Sequence, residues 1–178
     1  MTIHNLIVSL QAIVDNLNIN VNIVLTDDDS VVMIFYPKEN QIKVNLKSLE
    51  YSCEIYNLSL EVYSRIILYH ELGHVLDPEL EELENVITSS FNLLIKNGFN
   101  EILLEMIKEN RILAEKNAWR IAESFIEKDL YDVFVNIKQD SLEEAMEIEE
   151  LNKRKIILMY EMAEVEGYIE VLKQHSKN

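Results

Sequence analysis

Near the middle of the chain, His70-Glu71-Leu72-Gly73-His74 sets two imidazoles four positions apart with a carboxylate between them. The preceding Tyr63-Ser64-Arg65-Ile66-Ile67-Leu68-Tyr69 reads as helix. On a helix, residues four apart lie about 40° apart around the axis and one turn along it, so both imidazoles can serve one ion. Glu71 then projects beside the pair, where its carboxylate reaches a water on the metal, as a general base must. The chemistry implied is hydrolysis. A zinc ion would bring the pKa of water toward about 7 and polarise a carbonyl, and Glu71 would carry the proton to the leaving amine. The competing reading has both histidines lining a buried helix face, but Glu71 would then need a partner of its own.

Such a site takes a third protein ligand and leaves a fourth position for water. Composition alone offers Glu79, Glu81, Glu82, Glu84, Glu101, Glu105, Glu109, Glu115 and Glu123. Glu115, Ala118, Trp119 and Ala122 share one helical face, on which two alanines permit close helix packing. Gly73 offers a matching lack of side chain on the first helix. From spacing, Glu115 reads equally well as a ligand or as a solvated surface residue.

His-Glu-Leu-Gly-His followed by Glu115-Lys116-Asn117-Ala118-Trp119-Arg120-Ile121-Ala122 resembles the ImmA/IrrE family of small gluzincin-like zinc metallopeptidases. The similarity spans roughly residues 20–126, with specific matches confined to the two motifs. It implies His70, His74 and Glu115 as metal ligands, Zn2+ as cofactor and Glu71 as the catalytic carboxylate. It also implies a bacterial protease that cleaves a partner transcriptional repressor. The chain departs from the family pattern in three ways. The 41-residue step from His74 to Glu115 is long and includes a predicted extra helix over 79–97. Trp119 stands where a small polar residue is usual, and the Leu-Met-Pro-like ending is missing.

The elements that must position these residues are legible as periodicity. Leu6, Ile7, Leu10, Ile13, Val14 and Leu17 predict an amphipathic helix over 4–17. Runs at 21–26, 31–36 and 41–46, separated by Asp27-Asp28-Asp29-Ser30 and Pro37-Lys38-Glu39-Asn40, predict a three-stranded antiparallel meander with the second run central. An exposed edge of that meander would suit an extended substrate. From about residue 57 the period is helical to the end, with breaks at Asp77-Pro78, Asn97-Gly98, around Asp129 and near Asp140-Ser141. Ser141 and Glu144 have capping-box spacing, so a C-terminal helical extension is predicted over 141–174. The fold class expected is α+β: a single, mostly helical zincin-like domain over 1–178, with a small antiparallel sheet before the zinc-binding helix.

With 16 Lys and Arg against 32 Asp and Glu, the net charge of −16 argues against a phosphate-backbone partner. It favours a basic protein or peptide substrate. Cys53 is the only cysteine, so no intrachain disulfide forms, and it reads as a buried thiol. Met1 to Asn20 lacks a basic n-region, and no apolar stretch approaches the roughly 20 residues a bilayer needs. A cytoplasmic protein without membrane or nucleic-acid partners is the expectation. Tyr69, Tyr131, Tyr160 and His175 have the chemistry of an oxyanion donor without a pattern to choose among them. His4 and Arg111 read as surface residues, and Trp119 as a core anchor. The second functional class is a non-catalytic acidic interaction protein that keeps a metal-binding fold and binds a basic regulatory partner. Two imidazoles and a carboxylate also suit other first-row divalent ions.

Overall fold

A computed structural model describes residues 3–175 as two compact units, residues 3–78 with Lys116–Lys138 and Glu79–Glu115 with residues 139–175. The class is α+β, mostly helical with one small sheet. In the first unit, α1 (Ile3–Asn16) buries Leu6, Leu10 and Val14 from its apolar stripe, and Asn18 turns the chain away with φ 54°.

The sheet is mixed, which corrects the antiparallel meander. β1 (Asn22–Leu25) runs parallel to β3 (Gln41–Val44), and β2 (Met33–Tyr36) runs antiparallel to β3. The order is β1-β3-β2, so the third run is central and the second is an edge. Residues 37–40 do form a hairpin, with Asn40 at φ 52°. The 26–32 link does not. Asp28 folds it locally by accepting from the Ser30 N–H and hydroxyl, and Asn45 holds it through the Asp29 carboxylate and the Val32 carbonyl. The chain thereby reaches the far side of β3, as a parallel pairing demands. The unbroken apolar run of β2 reflects its packing against α3 rather than a central place.

A second correction concerns α2 (Leu46–Tyr56), which begins about eleven residues before the predicted onset of helix near 57. Asn45 starts it, its side chain accepting the Ser48 N–H at 2.9 Å, and Asn57 ends it in the left-handed region. The strand's apolar alternation runs on through Leu46 and hides this boundary.

α3 (Leu60–Leu76) starts at Ser59, whose hydroxyl accepts the Val62 N–H, and stops at Asp77-Pro78. Nearly every residue from Tyr63 to Gly73 is buried, so the helix is covered on all sides. The last turns of α5 (Glu101–Ala122) add Ala118, Trp119 and Ala122 to this core, and the boundary between the units falls inside α5 at the Glu115–Lys116 peptide. Two short 3-10 turns, Glu123–Phe125 and Lys128–Leu130, make the predicted break near Asp129.

The second unit holds α4 (Leu80–Asn97), most of α5 and the later part of α6 (Tyr131–His175). The predicted helix over 79–97 is present as α4. Leu94, Leu104 and Ile107 form its core, with Phe91, Ile156 and Ile157 packed around them. Lys108 bridges Glu105 and Glu150 at 2.8 and 3.2 Å, and Lys153 meets Glu105 at 2.8 Å. The predicted break at Asp140-Ser141 is absent. α6 is one helix of 45 residues, so the capping-box spacing at Ser141 starts nothing. A helix already under way extends at little cost, and neither Gly nor Pro intervenes before Gly167.

Among the described residues no helix is long and apolar enough to cross a membrane. The Lys108 and Lys153 ammonium groups hold the Glu105 carboxyl below its ordinary value of 4.5, and Lys108 does the same for Glu150. A depressed carboxylate contributes stability that is present above the ordinary value and lost as pH falls through the folded one. Lys153→Met is therefore expected to lower urea stability at pH 7, with the deficit from wild type shrinking once pH drops below about 4.5. A deficit independent of pH would show that the lysine acts through its aliphatic stem alone.

Candidate metal centre

The site is built on α3. His70 and His74 lie one turn apart with ring centroids 4.8 Å apart, and His70 is buried. One face of the His70 ring stacks on Trp119 at 4.2 Å between centroids, with the planes 24° apart. Trp119 is fully buried and rests in turn on Phe134 at 5.6 Å. The core role expected of Trp119 holds, and the ring has the added effect of fixing the plane of His70.

Trp119 comes this close because the α3 and α5 backbones almost touch. A Cβ added to Gly73 would fall 2.1 Å from the Ala118 carbonyl oxygen. Glu115 sits one turn before Trp119 on the same helix. Ligand atoms of His70, His74 and Glu115 all lie within 4.8 Å of one another, and among the described residues no other such group of His, Cys, Asp and Glu occurs. Tetrahedral donors about 2.1 Å from one ion are separated by roughly 3.4 Å, so rotations moving the side chains about an ångström close the set. Two imidazoles and a carboxylate are the donor types zinc takes, so the residues present fit such an ion.

Glu71 is buried, and its two oxygens face different groups. Oε2 accepts the Phe35 backbone N–H at 2.7 Å, while Oε1 lies 3.9 Å from Nε2 of His70. Sequence reasoning placed Glu71 beside the histidines but missed the strand amide that holds it. Tertiary pairing across 36 positions leaves no local signal. Also missed was the buried pair at the end of α3, where Asn117 Nδ2 donates to Asp77 Oδ2 at 3.2 Å. It ties the stop of α3 to the turn of α5 that carries Ala118. The available signal was Asn117 itself, a residue that favours caps placed inside a helix.

Several other named residues are engaged elsewhere. Glu123 accepts from the Tyr131 hydroxyl and from Lys138, each at 2.8 Å, which holds its carboxyl below the ordinary value. Glu105 pairs with Lys108 and Lys153, and Glu101 lies 3.6 Å from Lys153. Glu79, Glu81, Glu82, Glu84 and Glu109 are not in the His70 cluster. The Tyr160 hydroxyl donates to the Leu94 carbonyl, and Arg111 bonds Glu149 at 3.1 Å. Tyr69 is packed against Phe125, where burial first and the Glu127 charge second push its phenol up. Burial likewise raises the Cys53 thiol, in keeping with an unreactive core residue. The side chains of His4 and His175 lie outside the described set.

No protein-family model, no curated protein and no solved structure matches this chain.

The close contact makes Gly73 intolerant of a side chain, because the obstructing atoms are backbone. Gly73→Ala is expected to cost about 3 kcal/mol, as overpacking does, and to move α5 and its Trp119 away from His70. Chemical denaturation and the fluorescence of Trp119, the chain's single tryptophan, check both effects. Unchanged stability would mean that the two helices do not approach as described.

Proposed function

We propose that the protein is a metal-dependent endopeptidase that hydrolyses peptide bonds in a protein substrate. The observation that carries this reading is the placement of a buried, oriented carboxylate, Glu71, beside a cluster of two imidazoles and a second carboxylate. A closed structural metal site would call for a fourth protein donor and would leave Glu71 without a use.

His70, His74 and Glu115 would hold the ion, zinc by preference. When bound, it supplies Lewis acidity toward a carbonyl and brings the pKa of water toward about 7. The chain's own part is positional. Trp119 and the α3–α5 contact fix His70, so that little reorganisation accompanies binding. The Phe35 N–H holds Oε2 of Glu71, which leaves Oε1 aimed to the side of His70 to take a proton from water and deliver it to the departing amine nitrogen. Burial keeps bulk water from that carboxylate. Resemblance of the two motifs to the ImmA/IrrE family supports the same chemistry and suggests a transcriptional repressor as substrate. The charge of −16 favours a basic cleavage segment, and a lone reduced cysteine suits a cytoplasmic setting.

Protein prepared without chelator is expected to carry about one zinc per chain, in wild type and in Glu71→Gln alike, and to lose it in His70→Ala and Glu115→Ala. Cleavage of an unstructured basic polypeptide should fall by about 1,000-fold or more in Glu71→Gln. Wild type without stoichiometric metal would remove the basis of the proposal. Metal retained without cleavage of any peptide, basic or acidic, would favour the non-catalytic acidic binding protein instead.

A further inference from the structure

In the second unit, α6 uses only one of its faces. Lys153, Ile156, Ile157 and Tyr160 face α4 and α5, where they meet Glu105, the Leu94 core cluster and the Leu94 carbonyl. The opposite face carries Ile148, Leu151, Lys155, Leu158, Met162 and Val165 at alternating steps of three and four. That is the a and d pattern of a heptad repeat, and its 3.5-residue period fits a second helix rather than a globular surface. The five apolar members are between 47% and 64% exposed. A stripe of this length is more than scattered surface leucines require.

We infer that this stripe pairs with the same stripe of a second copy of the chain, as an antiparallel two-helix coiled coil. Area is the first argument. With its flanking side chains, the stripe on two copies offers on the order of 1,000 Å² for burial, about where specific interfaces begin. Self-complementarity is the second. Placed antiparallel with Lys155 opposite Leu158 of the other copy, Ile148 falls opposite Val165 and Leu151 opposite Met162, and each layer occurs twice about a two-fold axis.

Charge decides the direction. Antiparallel pairing in this register brings Arg154 of each copy beside Glu161 of the other, two opposite-charge contacts with no like-charge contact flanking the stripe. Both side chains are exposed, and Arg154 now bridges Glu150 of its own helix through Nε alone at 3.3 Å. A parallel, in-register pair would instead stack Lys155 on Lys155 and set Glu161 beside Glu166 of the other copy. The lysine thus selects against the parallel dimer while costing the antiparallel one little, because its stem lies along Leu158 and its ammonium reaches water.

Sedimentation equilibrium of the full chain over about 1–200 μM is expected to show a monomer–dimer equilibrium. Leu158→Glu should raise the dimer dissociation constant by on the order of 100-fold with unchanged far-UV circular dichroism, since it places two charges in the stripe. Arg154→Glu and Glu161→Arg should each weaken the dimer by roughly tenfold, and the double swap should restore it. Lys155→Leu should tighten it. A chain that stays monomeric throughout, in wild type and in Lys155→Leu, would overturn the inference and leave the face to a basic amphipathic helix of another protein. A dimer indifferent to Leu158→Glu would overturn it too, and failure of the double swap to restore affinity would overturn the antiparallel register.

Discussion

The architecture around the His70, His74 and Glu115 cluster depends on one backbone contact, Gly73 of α3 against the Ala118 carbonyl of α5. Helices usually pack 8–10 Å apart with side chains between them, and the missing side chain of Gly73, set against the backbone of Ala118, is what lets these two close further. Once they do, Trp119 must lie over His70, because it follows Ala118 directly, and Glu115 must lie one turn earlier. The geometry of the His70, His74 and Glu115 cluster is thus a consequence of helix packing. Asn117 and Asp77 seal the same contact at its end with a buried hydrogen bond, so loosening the helices would expose a polar pair as well as open a gap.

A helix buried on every side poses a second constraint. α3 carries Ser64, His70 and Glu71 into the core, and each desolvated polar group needs a partner. For Glu71 that partner is an amide on the edge of the sheet, the Phe35 N–H of β2. The other edge is treated alike. Gln11 of α1 accepts from the Ile23 N–H of β1 and donates to the Val21 carbonyl. A three-stranded sheet has two edges, and here a side chain from a helix engages each of them. The consequence for recognition is direct: an extended peptide adding to β2 at Phe35 would have to compete with the Glu71 carboxylate for the Phe35 N–H. The edge is therefore a less open platform than its sequence suggested.

How much of this was legible in the sequence follows from the range of each interaction. The His70–His74 spacing and the Glu115–Ala118–Trp119 face are local, helical and fixed by 3.6 residues per turn, so the site's scaffold could be read directly. The sheet could be read only in part. Apolar alternation identifies a strand, but β1 beside β3 rather than β2 is decided by the 26–32 link, whose folding rests on Asn45 reaching back to Asp29 and Val32. The start of α2 was hidden because Val44 and Leu46 continue the strand's alternation across the cap. The Ser141–Glu144 spacing misled for the converse reason. It is a start signal only where the preceding residue is not helical, and that condition depends on the Tyr131 start of α6.

The charge balance, which first served to argue against nucleic acid, takes on structure once the pairs are placed. Lys108 lies between Glu105 of α5 and Glu150 of α6, Arg111 of α5 pairs with Glu149 of α6, and Lys153 of α6 pairs with Glu105 of α5, at distances of 2.8–3.2 Å. Three of the chain's 16 basic residues thereby hold one acidic helix against another. The acids left over are the ones water sees. Such a surface favours a basic chain in solution and disfavours collapse of its own acidic faces, so any self-association must be confined to places where charge is low or alternates in sign. On α6 the exposed apolar stripe, with Arg154 and Glu161 on its flank, is a place of that kind. The excess of acid and the location of the stripe therefore act together: the first keeps copies apart everywhere else, and the second defines where they can meet.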